Sequence, residues 1–145
     1  MFDRSTAPDP SEVLTILARA EPEAIRAEAE AILPALGDVE VLQSRTGLVM
    51  LPARDTVEGT EFHLGEVLVA EAHVRLSDGT EGYGMIVGRD LERAMAMALI
   101  DAALAAGVAA ERLRGFVTRM GAAQADADRD TLRRVEATRV DMETF

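Results

Sequence analysis

The chain contains no cysteine. That single absence removes disulfides, thiolate metal sites, iron–sulfur ligation and cysteine nucleophiles. Lysine is absent too, and all 15 basic residues are arginine. A Schiff-base lysine and a phosphate-loop lysine are therefore excluded. Positive charge is scarce overall: the net charge is −11, which repels a phosphate backbone and argues against nucleic-acid binding. Long apolar runs are missing as well. The longest, Ala94 to Ile100, is far too short to span a bilayer. Met1 to Pro10 carry no apolar run of the kind a signal peptide needs. These features lead to the expectation of a cytoplasmic protein with no membrane segment. The chain has 145 residues, 48% of them hydrophobic, which suits one domain over 1–145 with a real core.

What is present centres on Phe62 to Asp90, which reads as a long β-hairpin delivering into a helix. Its turn holds Asp78-Gly79, the pair that a two-residue type I′ loop prefers. That loop sets Val74 opposite Tyr83, Ala72 opposite Met85 and Ala70 opposite Val87, an apolar face expected to meet the core. On the other face Arg75, His73 and Val69 then stand over Gly82, Gly84 and Gly88. The open space there is to be filled by a helix of this chain or by another protein.

Upstream, Asp9-Pro10-Ser11-Glu12 reads as a helix start. Val13, Ile16, Leu17 and Ala20 form one apolar stripe, and Ile25, Ala29, Ile32 and Leu33 a second, which Pro34 or Gly37 ends. From Asp38 the period changes to two strands, Val39-Val41 and Leu48 to Leu51, joined near Ser44 to Gly47, with Pro52 marking an edge or bulge. Arg54 to Glu61 reads as a polar loop. Downstream, Asp90 suits an N-cap, and Leu91 to Ala106 is apolar nearly all round, so it is expected to be buried on several sides. Gly107 closes it. Ala109 to Leu113 is a short helical turn, Arg114 to Met120 a fifth strand, and Ala122 to about Thr138 a last helix with a thin stripe of Leu132 and Val135. The expected fold is α+β. It has an antiparallel sheet of four to five strands, an N-terminal helical hairpin, a buried central helix and a C-terminal helix. Ala122 to Phe145 is a candidate partner-docking or swapped segment.

Candidate chemistry is thin. Glu71 and His73 share a strand face, and with His63 and Glu66 they would supply two histidines and two carboxylates for a metal. The bland reading is polar residues on a half-covered sheet. Asp101, a lone charge on an apolar helix, is either a raised-pKa acid or base or, as favoured here, a buried charge paired with an arginine. Arg89 beside a helix N-terminus reads as an anion contact or as a surface turn arginine. Gly82, Gly84 and Gly88 have the wrong spacing for a dinucleotide loop.

Six segments taken in order resemble a known family. They are Thr46-Gly47-Leu48-Val49-Met50, Phe62-His63-Leu64-Gly65-Glu66, the Asp78-Gly79…Gly82-Tyr83 hairpin, Gly88-Arg89-Asp90, Ile100-Asp101-Ala102 and Thr138-Arg139-Val140-Asp141. In spacing and order they resemble PhnG, a small subunit of the bacterial carbon–phosphorus lyase system, over essentially the whole chain. The resemblance implies participation with PhnH and PhnI in displacing adenine from ATP by methylphosphonate. The product is α-D-ribose 1-methylphosphonate 5-triphosphate. It also implies a core complex with PhnJ, which carries the iron–sulfur cluster and uses S-adenosylmethionine, so that this chain has no cofactor of its own and MgATP is a substrate of the complex. PhnI is the expected main partner, and a homodimer is expected of the isolated chain. On this reading no residue here is catalytic. Glu71, His73, Gly82, Gly84, Arg89, Arg139, Asp141 and Phe145 are partner-interface candidates. The competing reading is a small autonomous metal- or carboxylate-dependent enzyme using Glu71, His73 and Asp101.

Overall fold

Prolines open the first two helices. A computed structural model describes the backbone of residues 9–54 and 61–143, and the side chains of 9–50 and 65–138. In α1 (Pro10–Arg19) Pro10 takes the first position, where its missing N–H costs nothing. Asp9 caps it, its carboxylate accepting from the Glu12 N–H at 2.9 Å. Helix α2 (Pro22–Leu36) runs through Pro34 and stops at Gly37, whose φ of 72° only glycine adopts freely. The two follow one another through Ala20 and Glu21 but pack on different neighbours, α1 chiefly on α4 and α2 on α3, so the expected helical hairpin does not form.

The sheet has three described strands, in the order β1-β2-β3, not four or five. β1 (Val39–Arg54) is one unbroken strand of 16 residues. The expected turn at Ser44 to Gly47 does not exist: those residues pair directly with 69–72 of β2 (Glu61–Leu76). Their polarity reflects exposure on an edge strand, since 44–47 are all exposed. Pro52 does coincide with a register shift, between Leu51 and Pro52. Most of the loop expected over Arg54 to Glu61 lies outside the described residues.

β3 (Glu81–Val87) pairs with β2 one residue away from the expected register. Tyr83 faces His73, Gly82 faces Val74 and Gly84 faces Ala72. The turn explains the slip. Leu76 N–H bonds Thr80 O at 2.8 Å and Gly79 N–H bonds Leu76 O at 3.0 Å, so the loop is Ser77-Asp78-Gly79. Of these three only Gly79 has positive φ, 92°, as in a three-residue loop with a glycine bulge. The Asp78 carboxylate accepts from the Thr80 N–H at 2.9 Å and fixes that loop. A slip of one residue exchanges faces on one strand. Hence Gly82 and Gly84 lie on the core face and Tyr83 on the open one.

The glycines are there for α3 (Leu91–Ala106). A Cβ on Gly82 would stand 2.2 Å from the Ala98 carbonyl oxygen, and one on Gly84 2.2 Å from that of Ala94. The expected space over the glycines is thus filled by a helix of this chain. Asp90 caps α3 by accepting from the Arg93 N–H at 3.0 Å. Gly107, in the left-handed conformation, closes it. Sheet, α1 and α2 surround α3, which accounts for the burial of Ala94, Met97, Ala98, Ile100 and Ala102.

Helix α4 (Ala110–Glu143) replaces both the expected fifth strand and the separate last helix. Leu113, Phe116 and Val117 are buried, and Met120 packs beside them. The spacing i, i+3, i+4, i+7 is helical, and it shows only when Leu113 is taken together with the segment from Arg114. Gly121 lies inside the helix, where a Cβ would come within 3.1 Å of Ile16, so it serves packing against α1. Glu28, buried on α2, pairs with Arg112 of α4 at 2.7 Å. From 125 to 138 every residue of α4 is exposed, as expected from the thin stripe. Within that stretch Asp128 pairs with Arg19 of α1 at 3.0 Å.

Candidate functional site

The open face of the sheet carries the main concentration of polar side chains among the expected site residues. Residues directly opposite one another in antiparallel strands share a face, so β2 places Glu71, His73 and Arg75 there, and β1 and β3 bring Arg45, Glu40, Tyr83 and Glu81 beside them. They bond to one another. The Tyr83 hydroxyl donates to Glu71 Oε2 in a short hydrogen bond. Arg45 Nε donates to Glu71 Oε1 at 2.9 Å. His73 Nε2 meets Glu81 Oε1 at 2.7 Å. Arg75 bridges Glu81 and Glu40, each at 3.5 Å. The His73 and Tyr83 rings meet edge to face, centroids 6.1 Å apart.

The electrostatics follow from these bonds. Tyr83 donating to Glu71, with Arg45 beside it, holds the Glu71 carboxyl below its usual range. Burial, then the Glu71 hydrogen bond, pushes the Tyr83 phenol up to about 12. A phenol in that state is a hydrogen-bond donor at neutral pH and not a nucleophile or base.

Asp101 does not join this face. Its Oδ2 accepts from the backbone N–H of Tyr83 at 3.0 Å, so the partner is an amide and not the expected arginine. Burial raises the Asp101 pKa. The contact protects the outer edge of β3, where an unpaired N–H would otherwise be exposed. Glu71 and Asp101 therefore hold opposite ends of one residue, the hydroxyl and the amide of Tyr83. The constellation of Glu71, His73 and Asp101 does not converge on a common point.

The four-ligand arrangement does not assemble either. His63 pairs with Pro52 at the far end of β2, ten residues from His73, a separation of about 33 Å along a strand. Among the described residues no three His, Cys, Asp or Glu are grouped as metal ligands. Arg89 is exposed, and it is Asp90 that meets Arg26, at 3.3 Å. Arg139 and Asp141 fall in the last turns of α4, their side chains and Phe145 outside the described residues. A groove of about 330 Å³ between α2, α3 and Ser44 of β1 is lined by Leu33, Leu91, Met95 and Leu99, with Arg26, Glu30 and Glu92 as its charged residues.

Sequence reasoning missed Tyr83, Arg45 and Glu81 as members of the polar face. The alternation Glu71-His73-Arg75 with Glu81-Tyr83 carried that signal, once the loop is given three residues.

Comparison with known proteins adds the lineage. The family described as "Phosphonate metabolism protein PhnG" matches residues 10–145. "Alpha-D-ribose 1-methylphosphonate 5-triphosphate synthase subunit PhnG" of Rhizobium meliloti (strain 1021) is 35% identical over 100 residues. The matched stretch takes in 69% of this chain and 64% of that protein's length. With the family match extending over α1 to α4 and every strand between them, the chain belongs to the PhnG family.

Proposed function

We propose that this chain is an accessory, non-catalytic subunit of the carbon–phosphorus lyase system. It acts with PhnH and PhnI in forming α-D-ribose 1-methylphosphonate 5-triphosphate from ATP and methylphosphonate. PhnI is its principal partner, and PhnJ joins them in the core complex. MgATP is a substrate of the assembly, and the iron–sulfur cluster and S-adenosylmethionine belong to PhnJ. The site of action is the cytoplasm; no described helix is long and apolar enough to cross a membrane.

The family membership and the printed name of the relative support the system. The observation that carries the accessory role is the closed polar face. Glu71 and Tyr83 hold each other, Arg45 holds Glu71 and His73 holds Glu81, and bonds closed among the three strands in this way support a structural role for the face. A net charge of −11 also works against holding a triphosphate without help.

The test is reconstitution of the complex with Glu71→Ala in place of the parent chain. Adenine release from MgATP and methylphosphonate is expected within about twofold of the parent. A loss of chemistry with assembly intact overturns the accessory role. So does turnover of MgATP by the purified chain without other subunits.

A further inference from the structure

Strands buried on both faces read as continuous apolar runs, whereas strands with one wet face alternate. β1 carries such a run at Leu48-Val49-Met50-Leu51, and β2 answers it with Val67-Leu68-Val69-Ala70. Leu48 pairs with Leu68 and Met50 with Glu66, on the face shared with the core side chains Ala70 and Ala72. Val49 pairs with Val67 on the opposite face, in line with Val69 and its partner Val87 on β3. The sequence thus asks for cover on both sides. Among the described residues the fold buries Val69 and Ala70 and leaves Val67 and Leu68 half-buried, but covers little of the β1 run. β3 pairs with β2 only as far as Val69, because Gly88, with φ 115°, turns the chain into α3. Beyond that point β1 and β2 form a ribbon of two described strands. Leu48 is 61% exposed, Met50 51% and Val49 39%, and Val87 at the ribbon's root is 73% exposed. Two-stranded ribbons are marginal in water without something packed on them, and exposed apolar side chains clustered in this way mark interaction surfaces.

We propose that this ribbon, through Leu48 and Met50 on one face and Val49 and Val87 on the other, inserts into an apolar cleft of another subunit of the synthase. The inference rests on the accessory role proposed above and names the surface that performs it. A second copy of this chain is the weaker occupant. Two copies would bring a combined charge of −22 together, from −11 each, and like charge at that scale slows and weakens association. A larger subunit with fewer acidic residues, or with basic residues at the rim of its cleft, meets no such penalty.

The test uses the chain co-expressed with PhnH, PhnI and PhnJ and carrying Leu48→Asp or Val49→Asp, one on each face. Each variant is expected to lower co-purification with the other subunits at least tenfold. Both side chains are exposed, so the isolated variants should melt within about 2 °C of the parent. A photo-crosslinking residue at position 49 of the otherwise unchanged chain is expected to give an adduct with another subunit in the intact complex. This second arm holds even if an aspartate variant folds poorly. Co-purification of both variants at the parental level overturns the proposal. Sensitivity at only one position overturns insertion by both faces. A parent dimer in solution that Leu48→Asp dissociates while the complex still forms makes a second copy the occupant. If the unsubstituted chain fails to co-purify with the other subunits, the accessory role itself falls.

Discussion

Gly84→Ala is the sharpest test of how this fold is built. The added methyl would stand 2.2 Å from the Ala94 carbonyl oxygen, 2.9 Å from the Ala98 nitrogen and 3.0 Å from Met97 Cβ. Two of these neighbours are backbone, so no side chain can swing aside. Ordinary contact begins near 3.4 Å, which means that α3 must retreat by 1.2 Å along that contact, the difference between 3.4 and 2.2. Retreat loosens Ala94, Ala98 and Ala102, all fully buried, and a close-packed interior transmits the shift. Overpacking costs about 1–3 kcal/mol in general, and a backbone collision belongs at the upper end, about 3 kcal/mol. For a chain of this size that lowers the melting temperature by roughly 6–12 °C. Far-UV circular dichroism melts and urea titrations read it. Gly47→Ala is the control: nothing lies within 4 Å of its would-be Cβ, so stability should change by less than about 0.5 kcal/mol. The pair Gly82→Ala with Gly84→Ala should cost less than the two singles summed, because one retreat of α3 relieves both. A Gly84→Ala protein that melts with the parent refutes the argument. It would restore the register in which these glycines lie on the open face.

Tyr83 is the sole tyrosine and there is no tryptophan, so absorbance near 295 nm follows its ionisation alone. The titration is expected at about 12, against 10.0 for a free phenol. Since the unfolded chain loses this proton first, the stabilising effect is whole below pH 10 and fades as pH rises towards about 12. Glu71→Gln should move the midpoint down only in part, because burial is the larger cause; a full return to 10.0 would contradict that order. For Asp101 two substitutions separate acceptor from charge. Asp101→Asn keeps an acceptor for the Tyr83 N–H and should be neutral or stabilising at pH 7, whereas Asp101→Ala orphans that amide and costs about 1–3 kcal/mol by urea titration. Its raised pKa means that the folded state binds the proton more tightly. Stability from this group therefore falls as pH rises through the unfolded value, a slope that Asp101→Asn should remove. Glu28→Leu should be tolerated better than Arg112→Ala in thermal melts, since the latter leaves the buried Glu28 carboxylate unpaired.

Local rules carried the helices. Asp9 and Asp90 as caps, Pro10 at a helix start, and Gly37 and Gly107 as stops are short-range features that stand where the residues put them; of the second apolar stripe Ile25, Ala29 and Ile32 are buried, while Leu33 is exposed and Leu36 is buried in its place. Local rules failed where a neighbour decides. A stretch such as Ser44 to Gly47 reads as a turn until one knows that it lies on an exposed sheet edge. Arg114 to Met120 reads as a strand with Gly121 before a new helix, although α4 continues through both because it packs on the rest of the chain over that stretch. The candidate site was legible as residues and not as geometry. Glu71 and His73 were visible on one face, but Tyr83 joined them only when the register was known.

By itself the sequence determined the class of fold, the two N-terminal helices and the buried α3, which are written in composition and periodicity that no distant residue can alter; the six ordered segments added a resemblance to the family. Tertiary structure decided the number of strands, the side of the sheet on which the glycines fall, and the partner of Asp101. The strand count follows from β1 running on as an exposed edge and from α4 replacing a strand, whereas the last two outcomes hang on one extra loop residue at Ser77 to Gly79 and on how closely α3 can approach β3. Strand pairing has a period of two, so a single residue in a turn reverses the faces of a whole strand while leaving its local pattern unchanged.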